Sequence, residues 1–147
     1  FDGRCLWYAD YRENKIYQID PETGTVIRSF ASPSTKPRGL AFDGRCLWNA
    51  DSGEDKIYQI DPETGTVIRS FASPSTEPRG LTFDGRCLWY ADNGVAIIYQ
   101  IDPATGKVIR SFASPGADPW GLTFDGLHLW NVDPADDLIY QIDPATG

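Results

Sequence analysis

Three cysteines and one histidine recur at a fixed interval: Cys5, Cys46, Cys87 and His128 stand 41 residues apart. Three thiolates and an imidazole are a set that binds zinc. Ligands of one ion must converge, whereas equal places in successive repeats are spread apart. A disulfide is excluded in the same way, since it needs Cα atoms within about 7 Å. The expectation is buried, free cysteine. Serine recurs in "RSFASP", but no histidine or lysine accompanies it in every repeat to activate it. Asp10, Asp51, Asp92 and Asp133 precede variable loops such as "SGED" and "PADD". Calcium is conceivable there, but the EF-hand spacing is missing, and capping the following turn is the ordinary role of such an aspartate. These groups predict no catalytic residue, no metal and no cofactor.

Other groups have binding chemistry. Arg38, Arg79 and Trp120 each follow the proline of a "Pro-Arg-Gly" or "Pro-Trp-Gly" segment. Guanidinium offers a planar fork to carboxylate or phosphate, and indole offers a stacking face. A second periodic position reads Tyr8, Asn49, Tyr90, Asn131. Aromatic plus amide suits a carbohydrate pocket. Tyr11 and Arg12 lie just beyond the first of these. The alternative for the arginines is structural, as partners of Asp10, Asp51 and Asp92.

The elements that must position these groups follow from the repeat. Phe1, Phe42, Phe83 and Phe124 each begin "FDG", and "YQID" recurs at the same spacing. The units are residues 1–41, 42–82, 83–123 and a partial 124–147. A period near 40 demands a repeat architecture. Each unit reads as four short strands, a to d: "PRGLAFD", "RCLWNAD", "KIYQID" and "TVIRSFAS". Asp-Gly and Pro-x-Thr-Gly punctuate them as hairpin turns, and no helical apolar stripe is present. Four strands per 40 residues is one blade of a β-propeller. The expected fold is all-β, a propeller of four-stranded antiparallel blades. The strands run bcd, abcd, abcd, abc, about 3.5 blades in 14 strands.

The unit "PxGLxFDGxxLWxxDxxxxxIYxIDPxTGxVIRSF" resembles the YVTN and NHL class of propeller repeats. It is more distantly similar to the streptogramin-lyase-like propellers. That resemblance implies a propeller and slightly favours an extracellular or cell-surface setting. The lyase-type enzymes use a histidine on a propeller face. Here the one histidine, His128, occupies a place that is cysteine in the other repeats, so the activity is not carried over.

The first two repeats differ at Tyr8/Asn49, Tyr11/Ser52, Arg12/Gly53, Asn14/Asp55, Lys36/Glu77 and Ala41/Thr82. Most differences fall in the b–c loop, the d–a segment and the end of strand b. Antiparallel strands place all three on one face of the ring, and loops on a rigid scaffold are where binding concentrates. The expectation is a non-enzymatic module with a repetitive binding face for glycan or protein, gaining by avidity. A purely structural or assembly repeat without a ligand is the alternative.

The net charge of −8 argues against nucleic-acid and anionic-membrane partners, and no apolar run approaches a membrane span. The first residue is Phe rather than Met, which suggests processing, trimming or a longer parent. The expected partner is another copy, a homodimer first, because 3.5 blades leave unpaired strand edges.

Overall fold

The computed structural model describes residues Phe1–Gly147. Fourteen strands form four antiparallel sheets, and there is no helix. Blade 1 holds β1 (Leu6–Asp10), β2 (Lys15–Ile19) and β3 (Val26–Ala31). Blade 2 holds β4 (Pro37–Phe42), β5 (Leu47–Asp51), β6 (Lys56–Ile60) and β7 (Val67–Ala72). Blade 3 holds β8 (Pro78–Phe83), β9 (Leu88–Asp92), β10 (Ile97–Ile101) and β11 (Val108–Ala113). Blade 4 holds β12 (Leu122–Phe124), β13 (Leu129–Asp133) and β14 (Leu138–Ile142). Sheet order follows chain order within every blade, as the turn chemistry predicts.

The turns are built by side chains, and they repeat. In the Asp-Gly turn of blade 2, Asp43 Oδ1 accepts the N–H groups of Arg45 (2.8 Å) and Cys46 (2.7 Å). Its Oδ2 accepts Trp48 Nε1–H at 2.7 Å. Gly44 sits at φ 93°, a conformation open to glycine. One aspartate therefore fixes the turn and the orientation of the large core residue of strand b. Asp2, Asp84 and Asp125 do the same for Trp7, Trp89 and Trp130. The hydrogen bonds from His128 N–H and Trp130 Nε1–H lower the Asp125 pKa to about 2.

The core lies between blades, not within one. Strand pleating gives each blade two apolar faces, one toward the preceding blade and one toward the next. Between blades 2 and 3, Trp48, Ala50 and Ile57 pack on Leu88, Tyr90 and Ile101. Between blades 3 and 4, Trp89, Ala91 and Ile98 pack on Leu122, Leu129 and Ile142. Between blades 1 and 2, Ile16 packs on Leu47, Tyr58 and Ile60, flanked by Trp7 and Ala9. Glycine in strand a lets the inner strands approach. A Cβ on Gly80 would lie 2.6 Å from Leu122 Cβ and 2.7 Å from the Trp120 carbonyl oxygen.

An arginine of each outer strand clasps the neighbouring blade. Arg69 Nε–H donates to Gln59 Oε1 at 2.7 Å, and Nη1–H donates to the Ala104 carbonyl of blade 3 at 2.7 Å. Its guanidinium lies 5.4 Å from the Trp48 ring centroid. Arg28 and Arg110 repeat the arrangement, reaching Glu63 O and Ala145 O. Blade 4 has no outer strand, and Gln141 Nε2 instead lies 3.0 Å from His128 Nδ1.

Candidate functional site: the cavity at the channel mouth

The b–c loops and the d–a segments share one face of the arc, and buried aspartates tie them together. Asp51 Oδ1 accepts the N–H groups of Gly53 (2.7 Å) and Glu54 (3.0 Å) in its b–c loop. Its Oδ2 accepts Lys36 N–H of the d–a segment at 3.0 Å. Asp92 and Asp133 likewise join Val95 to Glu77 and Ala135 to Asp118. Asp10 holds only its own loop, through Arg12 and Glu13. With both oxygens engaged by backbone N–H, Asp51 and Asp92 are not the partners of Arg38 and Arg79. The structural alternative for those arginines is corrected accordingly. Arg38 Nε–H donates to Ser52 Oγ at 3.4 Å, and Arg79 Nη2 lies 3.7 Å from Glu77 Oε2.

A cavity of about 420 Å³ lies on this face. It is lined by Tyr8, Ala9, Tyr11, Pro37, Arg38, Arg79, Trp120 and Gly121. Each blade sends different side chains: Tyr8 and Tyr11 from blade 1, Arg38 from blade 2, Arg79 from blade 3 and Trp120 from blade 4. The guanidinium of Arg38 lies 4.7 Å from the Tyr11 ring centroid, and that of Arg79 lies 5.2 Å from the Trp120 ring centroid. Each cation is thus backed by an aromatic face. Arg79 Nε is buried without a hydrogen-bond partner. Arg12 lies beside the cavity and donates to Tyr11 Oη at 3.3 Å. That bond, reinforced by the charge of Arg12, lowers the pKa of Tyr11. Trp120 Nε1–H donates to Asp118 Oδ1 at 2.9 Å, which fixes the indole plane.

Three of the residues expected to line clefts do not reach the cavity. Asn49, Tyr90 and Asn131 are each 0% exposed, packed in the seams between blades. Their donor groups are spent on backbone carbonyls: Asn49 Nδ2 donates to Gly39 O (3.2 Å), Asn131 Nδ2 to Gly121 O (2.8 Å) and Tyr90 Oη to Ser75 O (2.8 Å), while Asn49 Oδ1 is buried without a partner. No open cleft exists where two apolar faces pack against one another. The expected row of equivalent sites is replaced by one composite cavity. Tyr8, at the equivalent position in blade 1, is half-exposed and lines it.

The sulfur positions lie in separate blades. Burial, then the charge of Asp43, pushes the Cys46 thiol up in pKa, and burial then Asp84 does so for Cys87. No group of three or more His, Cys, Asp or Glu side chains gathers in metal-binding geometry. A second cavity, of about 340 Å³, lies at the opposite face between blades 1 and 2, lined by Asp2, Trp7, Arg45, Cys46 and Glu63 among others. Nothing in the spacing of these residues distinguishes that seam from the other two.

No protein-family model matches the sequence, and no curated protein matches it. Solved structures do match. Glutaminyl cyclase of Myxococcus xanthus superposes with a TM-score of 0.83 at 18% identity, over 96% of this chain and 62% of the cyclase. The computationally designed Ika4 protein gives 0.68 at 14% identity, over 95% of this chain and 85% of the other. Inactive H270A virginiamycin B lyase from Staphylococcus aureus, bound to quinupristin, gives 0.65 at 21% identity, over 95% of this chain and 52% of the lyase. At such identities the likeness establishes the fold alone. With the four-sheet topology, it makes this chain a β-propeller repeat protein built of highly similar 41-residue blades.

Proposed function

We propose that this chain is a non-enzymatic binding module whose mouth cavity takes an anionic ligand with a flat or ring-shaped body. An acidic sugar of a glycan fits that chemistry best, and a carboxylate-bearing protein surface fits it next. The observation that carries the reading is the convergence of Tyr8, Tyr11, Arg38, Arg79 and Trp120, from all four blades, on one cavity. In a chain of net charge −8, two stacked guanidiniums at one place form a local positive site. They offer charge-assisted bonds to a carboxylate, while Trp120 and Tyr8 offer faces to a sugar ring. The test is titration with sodium glucuronate and with glucose, followed by tryptophan fluorescence and NMR. Glucuronate is expected to bind, and glucose to bind at least tenfold more weakly. R38Q/R79Q is expected to abolish the difference. Equal response to the two sugars, or an unchanged response in the double variant, overturns the assignment.

The other half of the proposal is that the ring is completed beyond these four blade positions, by a second copy or by more of the same chain. A structural or assembly repeat without a ligand is the second reading. Near-identity of the repeats and the likeness to a designed protein favour it.

A further inference from the structure

The segments that lead into blades 2, 3 and 4 run Lys36-Pro37-Arg38, Glu77-Pro78-Arg79 and Asp118-Pro119-Trp120. The third residue of each lines the mouth cavity. The first stands two residues before it, and its charge changes from blade to blade. In blade 3, Glu77 Oε2 lies 3.7 Å from Arg79 Nη2. In blade 4, Asp118 Oδ1 accepts Trp120 Nε1–H at 2.9 Å. In blade 2 the same place holds a cation, the exposed Lys36, and no carboxylate comes within ion-pair distance of Arg38. The two guanidiniums also differ in their remaining donors. Arg38 bonds to the protein through Nε, to Ser52 Oγ, which leaves both Nη groups open to a ligand. Arg79 has its Nε buried and one Nη beside Glu77. The side-on fork of Nε and Nη2, one of the two-bond geometries for a carboxylate, is therefore closed at Arg79.

From this we infer that Arg38 takes the ligand's carboxylate, and that Glu77 is an internal counterion that keeps Arg79 from taking a second negative group. The inference rests on the reading of the cavity as an acidic-sugar site, and it names the anchor and the charge the site accepts. Arg79 contributes through its stack on Trp120, with its guanidinium 5.2 Å from the ring centroid. The site then takes a sugar with one carboxylate in preference to a doubly charged phosphate of the same ring, because the second charge meets Glu77. Selectivity of this kind comes from a repulsive group as much as from an attractive one. The Glu77 and Arg79 side chains are 49% and 22% exposed. An ion pair in that setting contributes little to folding, so changing Glu77 alters recognition and leaves the blade intact.

The test is NMR titration of the wild type, R38Q, R79Q, E77Q and K36E with sodium glucuronate, glucose 6-phosphate and glucose, with near-UV circular dichroism as the check on folding. The wild type is expected to hold glucuronate more tightly than glucose 6-phosphate. R38Q is expected to weaken glucuronate about tenfold or more, the loss of a charge-assisted bond. R79Q is expected to weaken it by less than about threefold, since Glu77 already occupies that cation. E77Q is expected to tighten glucose 6-phosphate by about two- to fivefold, and glucuronate by less. K36E gives Arg38 the counterion that Arg79 has, and is expected to weaken glucuronate by about two- to fivefold. Equal losses in R38Q and R79Q overturn the inference while the acidic-sugar reading stands. So do a wild type that prefers glucose 6-phosphate and an E77Q that binds as the wild type does. A wild type that holds glucuronate no more tightly than glucose overturns the acidic-sugar reading, and the inference with it.

Discussion

Blades 2 and 3 and the terminal blades carry nearly the same letters in different company. Leu47 and Leu88 are buried where Leu6 is exposed, and Tyr90 is buried where Tyr8 lines a cavity. The turns do not register the difference: the Asp-Gly hydrogen bonds and the pairing of strands b and c are equal in all four blades. Secondary structure here is therefore local, and burial is supplied by neighbours. A residue's type says that it can be core; its blade's position says whether it is.

Paired substitutions at equivalent positions isolate what the neighbours contribute. The largest expected effect is at the tryptophans of strand b. Trp89 is buried, lies 6.0 Å from the Phe112 ring and donates to Asp84. Trp89→Ala is expected to cost about 3–5 kcal/mol, the range for a large aromatic removed from a core. Trp7 keeps the equivalent contacts to Phe30 and Asp2 but is only half-buried, because no inner strand runs beside β1. Trp7→Ala is expected to cost about half as much, scaling with area removed from water. Urea unfolding measures both, and equal losses would mean that the seams do not differ in the way their burial indicates.

The inner ring gives a sharper pair. Gly80 and Gly121 occupy the same place in successive blades. A methyl on Gly80 runs into backbone and Leu122 across the seam, whereas a methyl on Gly121 meets nothing nearer than Val132 Cγ2 at 3.8 Å. Gly80→Ala is expected to destabilise by about 1–3 kcal/mol through overpacking. Gly121→Ala is expected to be near neutral, since no strain opposes the small gain from a stiffer unfolded chain. Thermal unfolding of the two variants reads the difference directly. A destabilised Gly121→Ala would show that something covers that strand in solution.

Much of the fold was legible in the sequence because its determinants are short-range. The period, the Asp-Gly and Pro-x-Thr-Gly turns and the apolar runs place fourteen strands in the order observed. The clasp of Arg28, Arg69 and Arg110 was not legible. Its acceptors lie 35 residues away, on turns that any polar group could meet. The site was half legible. Variable loops on one face led to Tyr8, Tyr11, Arg38, Arg79 and Trp120, which do gather. The same rule misplaced Asn49, Tyr90 and Asn131. Variation within a packed seam, where Asn and Tyr each find a backbone acceptor, looks in sequence like variation in a loop.

The smallest expected effect lies in the b–c loop, where one backbone conformation is kept under changing letters. Asn14, Asp55, Ala96 and Asp137 all adopt positive φ, between 51° and 56°. Asparagine and aspartate tolerate this left-handed region because a short polar side chain can bond locally; alanine gains nothing to offset its Cβ clash. Blade 3 thus holds a strained residue where the other three blades hold tolerated ones. Ala96→Asn is expected to stabilise the protein by about 0.5–1 kcal/mol, and Ala96→Gly by a similar amount or less, because glycine also loosens the unfolded chain. Asn14→Ala is expected to move stability the opposite way. If Ala96→Asn left the unfolding midpoint unchanged, the strain would be absorbed by the loop. The turn backbone of blade 3 would then be softer than that of its neighbours, and the likeness of the four blades would end at their strands.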